Sequence, residues 1–256
     1  FISIEATFNS TEQSLIFSPF IQIQLQSDSM KIIPFCGYRF NSSKIQSLDE
    51  VISPPYDQYK EGMDDRLYNR HPYNIARIIM NQETSSDSMK DNRYTRSQAV
   101  LDQWIRDGIF LQDQAPGFYP YFQNYLVDDE ERCRKGFIAL GEVTDYSERI
   151  VLPHERTLAK PKQDRLNLLR ATLADTGLVF MLYSDPAGEV ENLLDQATSS
   201  APLMSALDLN EEVNQLWRIT DSALTDKIRE IMSNMSVIVA DGHHRYEVAQ
   251  MFKEEI

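Results

Sequence analysis

Apolar positions along the chain follow helical spacing in some segments and strand-like spacing in others. Apolar residues three and four apart predict a helix over residues 94–106, with Gly108 as its C-terminal cap. A second amphipathic segment, 222–232, precedes the apolar run 237–240, whose short length and β-branched residues predict a buried strand. Because strands and helices are mixed along the chain, we predict an α+β fold with mixed α/β character, in which helices flank a mixed sheet.

The middle of the chain predicts a hairpin and a further helix. Aromatic and β-branched residues over 118–127 and 135–143 predict two paired strands, and the acidic segment 128–131 predicts a long, solvated turn between them. Pro161 predicts a helix start, and Gly177 predicts the end of that helix. Further strands are predicted over 31–40, 149–152 and 178–183, and two prolines predict an extended loop over 52–57.

The composition narrows the choice of partners and compartment. Of the 256 residues, 42% are hydrophobic and 25% are charged, as in an ordinary globular protein without a membrane span. The net charge of −14 argues against a nucleic-acid partner, since backbone phosphates are bound by clustered lysines and arginines. Cys36 and Cys133 give neither a disulfide framework nor metal-ligand spacing, so we expect a reducing, cytoplasmic compartment. The oligomeric state stays open.

The two ends of the chain differ from the rest. Residues 1–29 contain no lysine or arginine and lack the positive segment of a signal peptide. We interpret them as a disordered or non-native extension that precedes a natural start at Met30. The helical pattern that begins near His244 continues to Ile256 without a C-cap signal, so we expect residues 30–256 to form an incomplete domain.

The residues after the apolar run 237–240 carry the most informative chemistry. This run is followed by Asp241, Gly242, His243, His244 and Arg245, and then by a helical pattern. A helix N-terminus has unpaired backbone N–H groups and a partial positive charge, so glycine, imidazole and guanidinium groups there predict an anion site. The pattern favours phosphate, as part of a nucleotide or of a phosphorylated substrate.

A second charged cluster follows the predicted strand 149–152. It contains His154, Glu155, Arg156, Thr157, Lys160 and Lys162. His154 and Glu155 are candidates for a general base or for metal ligands, and the cationic side chains are candidates for phosphate binding. In the alternative interpretation, Arg156 and Lys160 pair with nearby acidic residues and His154 caps a turn.

A third, weaker cluster lies in two proline-containing segments. Asp57 follows Pro54 and Pro55, and Asn74 follows Pro72. These polar side chains could contact a substrate or magnesium. Turn chemistry alone explains their positions, and we favour that explanation.

Five motifs occur in register along the chain. They are KIIPF with GYR at 31–39, ISPPYD at 52–57, HPYNI at 71–75, HERT with KPK at 154–162, and DGHHRYE at 241–247. Together they resemble the bacterial and archaeal family catalogued as domain of unknown function 1015. The resemblance extends from Met30 to the end of the chain, and members of that family generally continue beyond the Gly-His-His-Arg helix.

The DGHHR segment is also similar to the nucleotide-binding motif of the ParB and sulfiredoxin superfamily, in which a strand, this turn and a helix start bind phosphates. That resemblance implies a nucleotide, either ATP or ADP with magnesium, with CTP possible. The sulfiredoxin reaction requires a cysteine where this chain has His243, so we do not expect it. The free serine kinase resembles this chain in the same run, which implies phosphoryl transfer to the hydroxyl of a small amino acid.

Our leading hypothesis is a nucleotide-dependent phosphotransferase that acts on a small hydroxylated metabolite such as serine. Asp241 is a candidate base or metal ligand, or else a helix cap, and Glu155 or His154 is the other acid–base candidate. Gly242 would admit the phosphates. The residues expected to bind them are His243, His244, Arg245, Arg156, Thr157, Lys160 and Lys162.

Two other classes of function stay open. A ParB-like, nucleotide-gated binding module would perform no small-molecule chemistry and would need a nucleic-acid or protein partner. A structural interaction protein would use the same histidines and arginines only as solvated surface groups. Nucleotide binding would separate the phosphotransferase and the nucleotide-gated module from the structural interaction protein.

Overall fold

The computed structural model describes residues 30–155 and 159–256. The predicted extension, residues 1–29, and the motif residues Arg156 and Thr157 lie outside the described residues. The strands are β1 Ile32–Ile33, β2 Tyr38–Phe40, β3 Phe110–Gln112, β4 Tyr119–Val127, β5 Glu130–Ile138, β6 Leu140–Gly141, β7 Val151–Leu152, β8 Phe180–Leu182, β9 Met204–Leu207, β10 Val213–Leu216 and β11 Val237–Asp241. The helices are α1 Met63–Arg70, α2 Ala76–Ile79, α3 Arg93–Arg106, α4 Ala159–Thr172, α5 Glu189–Ala197, α6 Ser222–Met232 and α7 His243–Glu255.

Two sheets organise the described residues. A four-stranded antiparallel sheet has the order β5-β4-β10-β9, and a three-stranded sheet has the order β7-β11-β8. In the three-stranded sheet, the central strand β11 is parallel to β7 and antiparallel to β8. The strands β1 and β6, and β2 and β3, form two smaller antiparallel pairs. Helices combined with small mixed and antiparallel sheets confirm the predicted α+β class.

Two predicted strand regions differ from the structure. The segment 31–40 forms two short strands, because Pro34 has no N–H to donate and Phe35 makes only an isolated bridge with Gly117. The predicted hairpin is present as β4 and β5, but only Asp128 and Asp129 lie between its strands, with φ values of 51° and 63°. These are the conformations of a two-residue type I′ turn, so the predicted four-residue turn over 128–131 was wrong.

The predicted helices agree better with the structure than the predicted strands do. α3 and α6 match the predicted spans, and Gly108 follows α3 in the left-handed conformation of a C-terminal cap. α4 ends at Thr172 and not at Gly177, because Leu173 already has a left-handed φ of 50°. The sequence analysis did not predict α1, α2, α5, β3, β9 or β10.

Two hydrophobic cores lie on either side of the four-stranded sheet's strand β4. The first includes Trp104 of α3 and Phe110 of β3, and the second includes Ile228 of α6 and Val239 of β11. The strand that leads into the candidate site is therefore anchored in the second core. Within residues 30–155 and 159–256, no helix has the length and apolar character needed to cross a membrane.

A buried charged group, which we call the Asp113 cluster, contacts the first core through Tyr119. Its members are Asp113, Arg39, Arg218 and Tyr119. Asp113 Oδ1 lies 3.0 Å from Arg39 Nε and 2.7 Å from Arg218 Nη1, and only 2% of its side chain is exposed. The hydroxyl of Tyr119 donates to Asp113 Oδ2 at 2.9 Å and accepts the N–H of Gly37 at 2.8 Å. Both carboxylate oxygens are thus satisfied, as a buried charge requires.

Candidate functional site

The candidate site is built on the turn that joins β11 to α7. β11 ends at Asp241, and α7 begins at His243. Gly242 between them has a φ of 90°, a left-handed conformation that glycine adopts without strain. The N-cap residue is Gly242 and not Asp241, and glycine has no side chain with which to cap the helix. The helix start carries a partial positive charge that favours an anion.

The first turns of α7 are firmly anchored. The Tyr246 hydroxyl accepts the N–H of Thr144 at 3.0 Å and donates to the Thr144 carbonyl at 2.9 Å. Gln250 donates to the same carbonyl at 2.8 Å, and the ring of Tyr146 stacks on Tyr246 with their centroids 5.4 Å apart. These contacts fix the position of the helix, and with it the position of the turn.

His154 and His243, which we predicted as site residues from separate motifs, meet at this turn. Their ring centroids are 4.5 Å apart in an edge-on arrangement, and the His154 N–H donates to His243 Nε2 at 3.3 Å. His154 Nδ1 bonds to the carbonyl oxygen of Val239. Because a carbonyl can only accept, His154 carries its proton on Nδ1 and keeps a lone pair on Nε2. That form of histidine can accept a proton or bind a metal ion.

Glu155 approaches the other nitrogen of His243. Only 1% of His243 is exposed, and its Nδ1 has no hydrogen-bond partner in the described part of the chain, although Glu155 Oε1 lies 3.0 Å away. The distance suits a hydrogen bond, but the two groups are not oriented to make one. Burial lowers the pKa of His243 and outweighs the opposing effect of the Glu155 carboxylate. His243 is therefore neutral near pH 7 and lies just beneath the exposed His154 and Glu155.

Arg245 lies across the turn and is paired with carboxylates. Its Nη2 lies 2.6 Å from Asp241 Oδ2 and 3.6 Å from Asp57 Oδ2, and its Nη1 donates to the carbonyl of Leu178. Its Nε is buried and has no hydrogen-bond partner among the residues that the structure describes. The guanidinium group that we expect to bind phosphate is thus held between two carboxylates, with which a phosphate would compete.

Two glycines make room for the Arg245 side chain. A Cβ atom at Gly242 would lie 2.9 Å from Arg245 Cζ, and a Cβ atom at Gly177 would lie 3.0 Å from Arg245 Cδ. Both distances are shorter than ordinary van der Waals contacts between such atoms. A larger residue at either position would therefore displace the arginine.

Asp57 reaches the site although we favoured a turn role for it. It lies in a short 3₁₀ turn with Tyr56, whose ring lies under the guanidinium group of Arg165 at 4.2 Å. Arg165 in turn donates to the carbonyl of Ile79 at 2.8 Å and belongs to α4. The proline-containing segment is thereby held against α4, and this brings Asp57 to Arg245.

Asn74, the other residue of the weakest predicted cluster, is structural. It has no exposed surface, and its amide group donates to the carbonyls of Glu50 and Ile52 at 2.8 and 3.0 Å. Its side-chain oxygen accepts the N–H of Ala76 at 3.0 Å. This agrees with the favoured turn interpretation and leaves the amide unavailable to a ligand.

The remaining predicted residues surround the turn or lie outside the described residues. Lys162 forms an ion pair with Glu247 of α7 at 2.8 Å, and His244 lies half-buried on the first turn of that helix. Lys160 belongs to α4, but its side chain is outside the described part of the chain, as are Arg156 and Thr157. For these three residues, both phosphate binding and pairing with acids stay predictions.

A broad open cleft of about 3200 Å³ borders one side of the turn. Asp57, Asp241 and Arg245 line it, whereas His154 and His243 do not. Ligand pockets usually measure about 300–1,000 Å³, so this cleft is too wide to select a small molecule by shape alone.

The site offers two kinds of ligand atoms for a cofactor or a metal ion. Asp57 and Asp241 supply hard carboxylate oxygens on either side of Arg245, as magnesium prefers. His154, Glu155 and His243 supply two imidazoles and a carboxylate, and one atom from each lies within 4.8 Å of the others. The sequence analysis named His154 and Glu155 as candidate metal ligands but not His243, which only the fold brings to the 154–155 segment.

The fold and the site define an α+β protein whose candidate site lies where a central strand passes through a left-handed glycine into a helix. The profile of the family described as "Protein of unknown function (DUF1015)" matches residues 32–256, and the chain belongs to this family. This confirms the family that the five motifs resemble. Neither a search of curated proteins nor one of solved structures found a match.

Proposed function

We propose that this protein binds a nucleotide by its phosphates at the β11–α7 turn and transfers a phosphoryl group to the hydroxyl of a small metabolite such as serine. The observation that carries the proposal is the convergence of His154, His243 and Arg245 on one helix start whose N-cap is a glycine. The similarity of the DGHHR segment to the motif of the ParB and sulfiredoxin superfamily supports the same ligand class.

His154 is the proposed general base. Its Nδ1 bond to the Val239 carbonyl leaves the lone pair of Nε2 available. In the proposed step, the substrate hydroxyl oxygen forms a bond to the terminal phosphorus of ATP, and the bond from that phosphorus to the bridging oxygen breaks. The hydroxyl proton passes to His154 Nε2, and ADP leaves with the electron pair of the broken bond. Glu155 is the alternative acceptor for that proton.

Arg245 is the proposed phosphate-binding residue, and the phosphate would replace its present partners Asp241 and Asp57. A planar guanidinium group binds phosphate through paired hydrogen bonds, which are about twice as strong as bonds between neutral groups. Binding would draw Arg245 from Asp241 and Asp57, whose oxygens would then be available to magnesium. When bound, magnesium neutralises charge on the phosphates.

Calorimetry of the tag-free chain with ATP, ADP and CTP, each with magnesium, tests nucleotide binding. We expect Arg245→Ala to weaken binding roughly 10- to 150-fold, because a hydrogen bond to a charged group contributes about 1.5–3 kcal/mol. Arg132→Ala is the matched control, because Arg132 lies at the exposed hairpin and pairs only with its neighbour Glu130 among the contacts described. No nucleotide binding, or equal losses in the two variants, would contradict the proposal.

Nucleotide consumption with a panel of hydroxylated metabolites then tests the chemical step. We expect ADP release that depends on the added metabolite and falls at least a hundredfold in His154→Asn, since general bases contribute about 10²–10⁴-fold. A nucleotide that binds at Arg245 but is not consumed with any hydroxyl substrate would instead favour the nucleotide-gated binding module.

A further inference from the structure

His154, Glu155 and His243 have a property that nucleotide binding does not explain. They bring two imidazoles and one carboxylate together, with one candidate ligand atom from each residue within 4.8 Å of the other two. His154 and Glu155 are exposed, and His243 is buried. The exposed pair comes from the segment after β7, and the buried residue begins α7, so the arrangement depends on the parallel pairing of β7 and β11.

The buried nitrogen of His243 is the observation that points to a ligand. Among the described residues, its Nδ1 has no hydrogen-bond partner, and the carboxylate oxygen 3.0 Å away is not oriented to accept a proton from it. Leaving a buried polar atom unsatisfied costs stability, so such atoms are rare unless something else satisfies them. A cation between His243 Nδ1 and Glu155 Oε1 would satisfy both atoms.

His154 is already held as metal-binding histidines usually are. Ligating histidines almost always donate their second ring N–H to a carbonyl or a carboxylate, which fixes the ring and directs the other nitrogen at the metal. His154 makes such a bond from Nδ1 to the Val239 carbonyl, so Nε2 is the nitrogen that remains for a metal ion.

We propose that His154, Glu155 and His243 form a binding site for a divalent transition-metal ion of the zinc class, with a fourth position open to water or a phosphate oxygen. Imidazole ligands favour such ions, whereas magnesium favours oxygen ligands alone. Three protein ligands and one open position are the pattern of catalytic zinc sites. The site is distinct from the carboxylates of Asp57 and Asp241. A metal ion would occupy His154 Nε2, the proposed proton acceptor, so metal binding is an alternative to that role and does not rest on the proposed phosphotransferase.

Binding requires two small adjustments. Bonds of about 2.0–2.2 Å to zinc place tetrahedral ligand atoms roughly 3.4 Å apart, so the 4.8 Å cluster must contract. The exposed side chains of His154 and Glu155 can make that movement. His243 must also move its proton from Nδ1 to Nε2, which gives up the contact with the His154 N–H, and at 3.3 Å that bond is a long one.

Metal titration of the tag-free, chelator-treated chain, without nucleotide, tests the site. Zn²⁺ is followed by calorimetry, and Co²⁺ by the visible absorption of a tetrahedral ion. We expect one ion per chain, with affinity reduced at least about tenfold in Glu155→Gln and in His154→Asn. Both altered residues are exposed, so neither change should unfold the protein.

Glu131→Gln and His71→Asn are the matched controls. Glu131 is an exposed residue of the β4–β5 hairpin, and His71 accepts the N–H of Tyr73 in a separate turn. Stoichiometric binding that only the site variants weaken supports the proposal. Failure of both ions to bind at one per chain, or equal affinity in site and control variants, overturns it. Because no nucleotide is present, either result is independent of the nucleotide calorimetry.

Discussion

The Asp113 cluster and the β11–α7 turn contain similar residues but differ in how their buried polar atoms are hydrogen-bonded. In the Asp113 cluster, two arginines and a tyrosine hydroxyl satisfy a carboxylate whose side chain is 2% exposed. At the β11–α7 turn, Arg245 Nε and His243 Nδ1 are buried and have no hydrogen-bond partner within residues 30–155 and 159–256. One group has satisfied its buried polar atoms, and the other has not.

The difference separates a structural role from a candidate binding role. A satisfied buried network gives rigidity, but it leaves no donor or acceptor for a ligand. Unsatisfied buried groups cost stability, and a bound ligand, ion or water is one way in which they become satisfied. Proximity of charged residues in the fold therefore does not by itself identify a site. The hydrogen bonds that they leave unmade are more informative.

The largest expected effect is loss of stability at the Asp113 cluster. Asp113→Asn removes the charge shared by Arg39 and Arg218, and we expect the free energy of unfolding to fall by about 3 kcal/mol in urea denaturation. This is the lower end of the usual cost, since both arginines keep some contact with water. Nucleotide affinity of the folded variant should not change. Asp129→Asn at the exposed hairpin turn is the control, and an equal effect there would remove the contrast.

A smaller effect is expected at the turn itself. Gly242→Ala forces a side chain into a left-handed conformation and against the Arg245 guanidinium group, 2.9 Å away. Gly62→Ala is the matched control, because Gly62 has a φ of 70° and nothing within 4 Å of the added atom. Backbone strain of about 1–2 kcal/mol should appear in both variants by thermal unfolding. Only Gly242→Ala should also weaken nucleotide binding, and equal affinities in the two variants would argue against a role for the turn.

Tyr246→Phe tests whether the contacts that anchor α7 also matter for the candidate site at the start of that helix. The change removes both bonds to Thr144, and we expect about 1 kcal/mol of lost stability by chemical denaturation, typical of a neutral hydrogen bond. Tyr125→Phe, at a half-buried position of β4, is the control. A loss of nucleotide affinity larger than the loss of stability would show that the anchor also positions the phosphate ligands.

The smallest expected effect is on the pH dependence of stability. Because burial lowers the pKa of His243 in the folded protein, the unfolded chain binds a proton first as the pH falls. Stability is then complete above the ordinary histidine pKa of about 6.5 and decreases as the pH falls through the lower pKa of the folded protein. Urea denaturation between pH 8 and 5 should show a shallower decrease in His243→Gln than in the wild-type chain. The same slope in both proteins would mean that His243 does not titrate in this way.

The sequence predicted best those features that are local. α3 and α6 have continuous amphipathic patterns, and both were predicted with nearly the correct ends. The turn at Gly242 was predicted because an apolar run, a glycine and a helical pattern adjoin there. The short strands β9 and β10 were not predicted, because they are stabilised by pairing with distant segments and not by a pattern of their own.

The sequence named candidate residues at the turn but did not predict the contacts between them. Nothing near His154 in the sequence indicates that its backbone N–H meets His243, 89 positions away. Asp57 was assigned to a turn because its prolines explained it locally, and only the packing of Tyr56 on Arg165 brings it to Arg245. Such contacts depend on tertiary packing, which motif spacing does not encode.

The space around Arg245 has a consequence for variation among relatives. Gly177 and Gly242 are each constrained by the same side chain, at Cδ and at Cζ, although 65 positions separate them. A relative with a short residue in place of Arg245 would be free to carry alanine at position 177, whereas a relative that keeps the arginine would not. Substitutions at positions 177 and 245 should therefore co-vary, while position 242 should stay glycine for its backbone conformation alone.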